Sequence, residues 1–150
     1  MAAAKKATHG SRKAGGRFTQ EELAAMREAV RERSRPRRGG ADGEHDVLEK
    51  ISQMQGSDRV LAERIHALVK ANAPSLSPRT WYGMPAYSRD DHVVCFFRCA
   101  AKFKTRYATL GFSDEAKLDQ GQMWATDFAV TEITPLEEEQ IVRLLRKAVG

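Results

Sequence analysis

The amino-acid sequence predicts an α+β domain, in which helices pack on a small, mostly antiparallel sheet. Three observations support this fold class. Apolar residues recur at helical spacing before residue 73, strand-forming residues follow from residue 92, and a Pro-led amphipathic segment ends the chain. A chain of 150 residues suits one domain with its own core. It contains no run of about 18 apolar residues, so we expect no membrane association through a transmembrane helix.

The positive charge is concentrated at the N-terminal side. Residues 1–44 contain eleven Lys or Arg and six Asp or Glu, whereas residues 45–150 contain fourteen of each. Residues 1–17 have almost nothing to bury, which predicts a disordered basic tail. Because this tail lacks the apolar stretch of a signal peptide, we expect a cytoplasmic protein.

A basic helix is predicted over residues 18–34. Thr19 and Glu22 have the spacing of a capping box, and three arginines follow along the helix. Residues 35–44, with Pro36 and adjacent glycines, predict a linker. The basic arm has two interpretations, a non-specific nucleic-acid contact through phosphates or a solubilising tail. Its cationic residues are Lys5, Lys6, Arg12, Lys13, Arg17, Arg35, Arg37 and Arg38.

The compact domain is predicted to span residues 45–150. Helical spacing predicts one helix over residues 45–54 and a second that begins at a Ser57 cap and stops before Pro74. Ser113 is expected to cap a short helical turn that ends at Gly121, and residues 128–130 to form a short strand. The final helix begins at Thr134-Pro135, with acidic residues in its first turn.

The most unusual segment is residues 80–87, which contain three aromatics, a Gly, a Met and a Pro. Gly and Pro exclude a regular helix there, and we expect a rigid, buried corner. Residues 92–99 and 102–110 predict two strands joined by Ala100-Ala101. With a two-residue turn, Phe97 pairs with Lys104 and Val94 with Tyr107. Ala-Ala is a poor turn sequence, and a longer loop would swap the faces. The predicted core face carries Val94, Phe96, Phe103 and Tyr107.

On this register Lys104 and Arg106 project together from the sheet near the aromatic segment. One interpretation is a surface that binds a small anionic ligand or a protein, with aromatic rings as stacking area. The other is a solvated sheet face with extended basic side chains. The candidate pocket consists of Trp81, Tyr82, Met84, Tyr87, Lys104 and Arg106.

Catalytic and metal motifs are not found in the sequence, so we expect no enzyme. The four histidines are scattered and no known nucleophile motif occurs. Cys95 and Cys99 are expected to be apolar strand residues rather than a zinc pair. Acidic candidates for a metal are Asp90-Asp91, Asp114-Glu115 and residues 137–139, and the last group is more simply explained as a complement to the helix dipole.

Residues 81–87, with residues 93–97, resemble the YdhG-like family, small bacterial domains of unknown function whose hallmark is W/Y-G-M-P-A-Y/F before an aromatic strand pair. Residues 102–112 with Met123-Trp124 resemble an actinobacterial-type branch. The resemblance covers about residues 45–150. It implies a frataxin-like α+β fold, and one member is described as an intracellular iron chaperone for iron–sulfur and haem assembly. Weakly bound iron at unknown ligands is therefore the implied cargo.

Overall fold

The computed structural model describes residues 18–34 and 40–150. It confirms the α+β class, with a five-stranded antiparallel sheet in the order β1-β2-β3-β4-β5, so each strand pairs with its neighbours along the chain. In this part of the chain no helix is long and apolar enough to cross a bilayer. The elements are α1 Gln20–Ser34, α2 Gly40–Ser52, α3 Gly56–Asn72, β1 Ser77–Trp81, β2 Met84–Arg89, β3 His92–Arg98, α4 Ala100–Phe103, β4 Ala108–Phe112, β5 Asp127–Val130 and α5 Pro135–Val149.

The N-terminal helix α1 is confirmed together with its capping box. The Thr19 N–H donates to Glu22 Oε1 at 2.9 Å, and the Glu22 N–H donates to Thr19 Oγ1 at 3.0 Å. Ala25 and Ala29 are the apolar residues of α1 that are buried, where the helix contacts β1 and α4. The predicted tail, residues 1–17, and the basic residues at 35, 37 and 38 lie outside the described residues.

Helix α2 begins at Gly40, so the predicted linker is too long at its C-terminal side and residues 40–44 are helical. The reason is tertiary packing. Gly43 lies directly against the Pro78 carbonyl of β1, where a Cβ atom would collide, so the glycine allows α2 to lie close to the sheet edge. The composition of residues 35–44 favoured a loop, but the close packing of Gly43 on β1 stabilises residues 40–44 as a helix.

The other helices differ in how well their ends were predicted. Helix α3 has Gln55 at its N-cap, so the expected Ser57 cap is wrong. Helix α5 begins as predicted, with Pro135 in its first turn and a capping box between Thr134 and Glu137. After Ser113 a single turn forms, in which the Glu115 N–H donates to Ser113 Oγ, but it does not extend to Gly121. Strand β5 confirms the short strand expected at residues 128–130.

Residues 77–89 form a β-hairpin, and the corner predicted at residues 80–87 is its turn with parts of both strands. Trp81 pairs with Met84, and Tyr82 and Gly83 form the two-residue connection. Both have positive φ angles, 53° and 77°, which suits the right-handed twist of a tight hairpin. Two prolines obscured these strands in the sequence. Pro78 lies in the edge strand β1, where a missing donor is tolerated.

The predicted register between β3 and the following strand is wrong. Ala100 begins the helical turn α4, and strand pairing resumes at Ala108, so Cys95 faces Phe112 and Phe97 faces Leu110. Alanine forms helices well and supports tight turns poorly, which explains the longer connection. Cys95 and Phe97 are therefore buried in the core. Of the predicted core face, Val94 is buried, Phe96 and Phe103 are half-buried, and Tyr107 is exposed.

The main core is built by α2, α3 and α5 together with the sheet. Its largest fully buried side chains come from β2, β3, α3, β4 and α5, in that order Tyr87, Phe97, Ile65, Leu110 and Leu145. This core fixes the β2–β3–β4 scaffold. The β1–β2 turn and α4 stand beside α1, and their backbone and charged groups form the site described next.

Candidate functional site

The turn between β1 and β2 presents two backbone donors to one carboxylate. The Tyr82 N–H donates to Glu32 Oε1 at 3.0 Å, and the Gly83 N–H donates to Glu32 Oε2 at 3.1 Å. Consecutive N–H groups in a turn of positive φ form a concave anion-binding feature. The bidentate contact shows that this turn fits the two oxygens of a carboxylate.

Two lysines approach the same turn. Lys102 Nζ lies 2.5 Å from Glu28 Oε1, and Lys50 Nζ lies 3.1 Å from Glu28 Oε2. The Glu28 carboxylate and the Lys102 ammonium both pack against the Cα of Gly83, in the space that a side chain would need. We name these donors the anion cradle: the N–H groups of Tyr82 and Gly83 and the ammonium groups of Lys50 and Lys102.

Helix α1 fills the cradle with carboxylates from one face. Glu21, Glu28 and Glu32 are spaced by seven and four residues, which places them on the same side of a helix. Glu21 also binds Lys104, at 3.0 Å. The two buried alanines of this helix contribute roughly 2 kcal/mol, as each adds one buried methyl group. Leu23 and Ala24 are half-buried in addition, so the apolar contact of α1 with the domain is small and its ion pairs add to it.

The protonation state of Glu28 follows from its surroundings. Burial acts to raise the pKa of Glu28, but the hydrogen bonds from Lys102 and Lys50 outweigh it and hold that pKa below its usual value. The carboxylate is thus ionised at neutral pH. Hydrogen bonds from Lys104 likewise lower the pKa of Glu21.

We expect the contribution of Glu28 to stability to disappear in acid. Because its pKa is lowered on folding, the contribution is present above the ordinary value of 4.5 and is lost as the pH falls through the folded pKa. Melting temperatures of the wild type and Glu28→Gln should differ at pH 7 and converge once the pH falls below the folded pKa of Glu28. The other carboxylates titrate in both proteins, so their effect cancels in the difference between the two melting temperatures. A gap that stays constant over this range would contradict the assignment.

The six residues of the candidate pocket do not all lie together. The rings of Trp81 and Tyr82 meet edge-on, 5.1 Å between centroids, and Trp81 lies 5.3 Å from Phe96. Met84 is buried beside them in β2. Tyr87 belongs instead to the main core, where it contacts α3.

The two basic residues of the candidate pocket are both exposed in the segment after α4. Lys104 has a left-handed backbone at the end of α4 and faces α1 through Glu21. The Arg106 guanidinium stacks on the neighbouring Tyr107 ring, 5.0 Å from its centroid. Only Lys104 is thus adjacent to the cradle.

A buried polar chain connects the core to the surface on the other side of β2. Tyr87 Oη lies 2.9 Å from His66 Nδ1, His66 Nε2 lies 2.9 Å from Glu44 Oε2, and Lys70 Nζ donates to Glu44 Oε1 at 2.8 Å. Burial raises the pKa of Tyr87 well above its usual value, so its hydroxyl stays protonated. These contacts give each ring nitrogen of the buried His66 a hydrogen-bond partner.

We expect Tyr87→Phe to lower the free energy of unfolding by about 1–2 kcal/mol, since it leaves the buried His66 Nδ1 without its partner. Urea unfolding of the variant measures the loss. Tyr107→Phe is the matched control, because this ring is exposed, and it should change stability by under about 0.5 kcal/mol. Equal stability of the two variants would show that the hydroxyl of Tyr87 is not needed.

Among the described residues, a reactive thiol or a metal site has less structural support than the anion cradle. Burial raises the pKa of Cys95 to about 12, so its thiol is not ionised at neutral pH. Glu137 is engaged in the α5 capping box, and Asp90 and Asp91 form the tight turn between β2 and β3. Over residues 18–34 and 40–150, no three His, Cys, Asp or Glu side chains group closely enough to hold one ion.

Sequence reasoning missed four members of this site, which are Glu28, Glu32, Lys50 and Lys102. Each is one charged residue among many on a helix, and nothing local distinguishes it. Two signals could have located the site. One is the spacing of the three α1 glutamates, which places them on one face, and the other is Gly83, which suits a turn of positive φ.

Fold and cradle together define the class of protein: a small α+β domain whose hairpin turn and lysines hold anionic groups. No family model, curated protein or solved structure matches this chain.

Proposed function

We propose that this domain is a non-enzymatic module that binds small anions. Their carboxylate or phosphate oxygens would take the places of the Glu28 and Glu32 oxygens in the cradle. The observation that carries the proposal is the convergence of two backbone N–H groups and two ammonium groups on the carboxylates of a single helix.

The chemistry of the cradle supports anions over other ligands. All its groups are hydrogen-bond donors, and charge-assisted bonds to oxyanions are about twice as strong as neutral ones. The backbone donors are fixed by the hairpin, so binding costs little ordering there. Trp81 and Tyr82 are half-buried at the same turn and supply apolar surface beside the donors.

The test uses the full chain with the resident carboxylates neutralised, Glu28→Gln with Glu32→Gln. Calorimetric titration with phosphate and with citrate should show binding at least ~10-fold tighter than for the wild type. Adding Lys50→Ala and Lys102→Ala should remove it. The matched control is Glu63→Gln with Glu139→Gln, which neutralises two exposed glutamates paired within their own helices. No binding to the opened variant, or equal binding to the control, would overturn the proposal.

Iron carriage is a second proposal, supported by the resemblance of residues 81–87 to the YdhG-like family. Anaerobic titration of the full chain with Fe²⁺ by calorimetry tests it. Binding in the micromolar range that is lost on carboxylate substitution would support a carrier of iron for iron–sulfur or haem assembly. Absence of heat at millimolar iron would rule the carrier out and would not affect the anion proposal.

The basic arm carries a third, independent proposal, non-specific contact with nucleic acid. It is supported by the charge of the eight Lys and Arg residues at positions 5–38 that lie outside the described residues. Removing residues 1–17 and neutralising Arg35, Arg37 and Arg38 should abolish binding to duplex DNA across a salt series. Binding that survives these changes would exclude the arm.

A further inference from the structure

The cradle and Lys104 form one elongated cationic surface that is longer than a small anion. Glu21, which binds Lys104, and Glu32, which binds the turn, are eleven residues apart in α1. At 1.5 Å per residue these positions are about 16 Å apart along the helix axis. A phosphate or a small dicarboxylate can reach only one end, whereas a helix reaches both.

We propose that the physiological ligand of this surface is an acidic helix of a partner protein, and that α1 is the internal copy of that helix. The inference rests on the proposed anion-binding function and names its ligand class. The partner helix would carry carboxylates at the α1 spacing, with small residues where it approaches the sheet. In α1 these positions are Glu21, Glu28 and Glu32, with Ala25 and Ala29 buried between them.

The contacts that hold α1 on the domain are weak enough for a partner helix to displace it. Its interface with the domain buries two alanines and half-buries Leu23, whereas its other large apolar residues remain exposed, Met26 at 37% and Val30 at 56%. The lysine side chains that hold its carboxylates are partly open to water, from 27% for Lys50 to 74% for Lys104. Partly exposed ion pairs contribute little to affinity and are weakened by salt. A partner helix with the same carboxylates and a larger apolar stripe would compete successfully.

The position of Gly83 adds specificity for a helix. Its missing side chain lets the Glu28 carboxylate and Lys102 lie against the backbone while its N–H holds Glu32. Two carboxylates four residues apart are therefore recognised at adjacent sites on one turn. A helix presents such a pair on a single face, and an extended peptide presents residues at this spacing about 13 Å apart.

The test measures binding of a fluorescent peptide of residues 18–34 to the full chain carrying Glu21→Gln, Glu28→Gln and Glu32→Gln. Fluorescence anisotropy should report binding at least ~10-fold tighter than for the wild-type chain, whose own α1 occupies the surface. The matched control peptide has the same composition. It exchanges each of these glutamates with the preceding residue, Gln20, Arg27 or Arg31, which rotates the acidic row by about 100°. This control should bind at least ~10-fold more weakly, and Lys50→Ala with Lys102→Ala should remove the difference.

The outcomes separate this inference from the anion proposal. Equal binding of the two peptides would show unspecific charge attraction and would overturn the helix assignment. Binding of phosphate to the opened chain without binding of the native peptide would overturn it too, while the anion proposal would stand. If the opened chain binds the native peptide but does not bind phosphate, the helix assignment is supported and small anions are rejected as ligands. A wild-type dimer abolished by Lys50→Ala with Lys102→Ala would overturn the assignment to a different protein, since a second copy would then be the occupant.

Discussion

Gly83→Val is expected to lower the free energy of unfolding by about 2–3 kcal/mol and to release α1 from the domain. The residue has a φ of 77°, which a β-branched side chain tolerates poorly. A Cβ atom there would also enter the space of the Glu28 carboxylate and the Lys102 ammonium. Both groups can swing away, but only by breaking their ion pair. Thermal unfolding should show a melting temperature lower by roughly 5–10 °C.

Gly121→Val is the matched control for this prediction. Gly121 has a similar φ of 67°, and nothing lies within 4 Å of the place where its Cβ would be. Its substitution should cost about 1–2 kcal/mol from backbone strain alone. Amide hydrogen exchange should rise in α1 for the Gly83 variant and stay unchanged there for the Gly121 variant. Unchanged exchange of α1 in both would mean that the turn does not hold the helix.

Asp58→Ala is expected to lower the free energy of unfolding by about 2–3 kcal/mol. Asp58 is 6% exposed, and its carboxylate accepts the N–H groups of Ala100 and Ala101 at 3.0 and 2.9 Å. Without it, the first two donors of α4, which are partly buried by this contact, lose their acceptor. Helix α4 carries Lys102, so the variant should also weaken anion binding in the opened chain. Urea unfolding and calorimetric titration measure the two effects.

Asp119→Ala serves as the control because this aspartate is exposed in the loop before β5. It should change stability by less than about 0.5 kcal/mol and leave anion binding unaltered. The Asp58 assignment would be contradicted if both variants unfolded at the same urea concentration. It would be incomplete if Asp58→Ala lost stability but kept full anion affinity, because Lys102 would then be positioned by other contacts.

The parts of the fold that the sequence predicts are those with local causes. The Thr19 and Glu22 capping box and the Thr134-Pro135 helix start each depend on side chains within one turn, and both form as expected. The short strand before α5 depends on two strand-forming residues, Phe128 and Val130, which are two positions apart. Elements that depend on residues close together in the chain can be predicted from a single sequence.

The parts that were missed depend on distant residues. The register after Arg98 changes because Asp58, forty residues earlier, caps the α4 turn. The hairpin at residues 77–89 was hidden by its two prolines, Pro78 in the edge strand β1 and Pro85 in the inner strand β2. The cradle combines Lys50 of α2, Lys102 of α4 and two glutamates of α1, and no local pattern links those elements.

The strand order β1-β2-β3-β4-β5 has a consequence for how the chain acquires its structure. Every strand adds beside the one preceding it, so the sheet can grow strand by strand through connections that are local in sequence, the longest of them residues 113–126. Helix α1 joins this sheet through contacts with residues some 50 to 80 positions away. We therefore expect the domain to complete its folding before α1 docks. A chain emerging from the ribosome would then carry an open cradle for a brief period, in which a partner helix could be captured first.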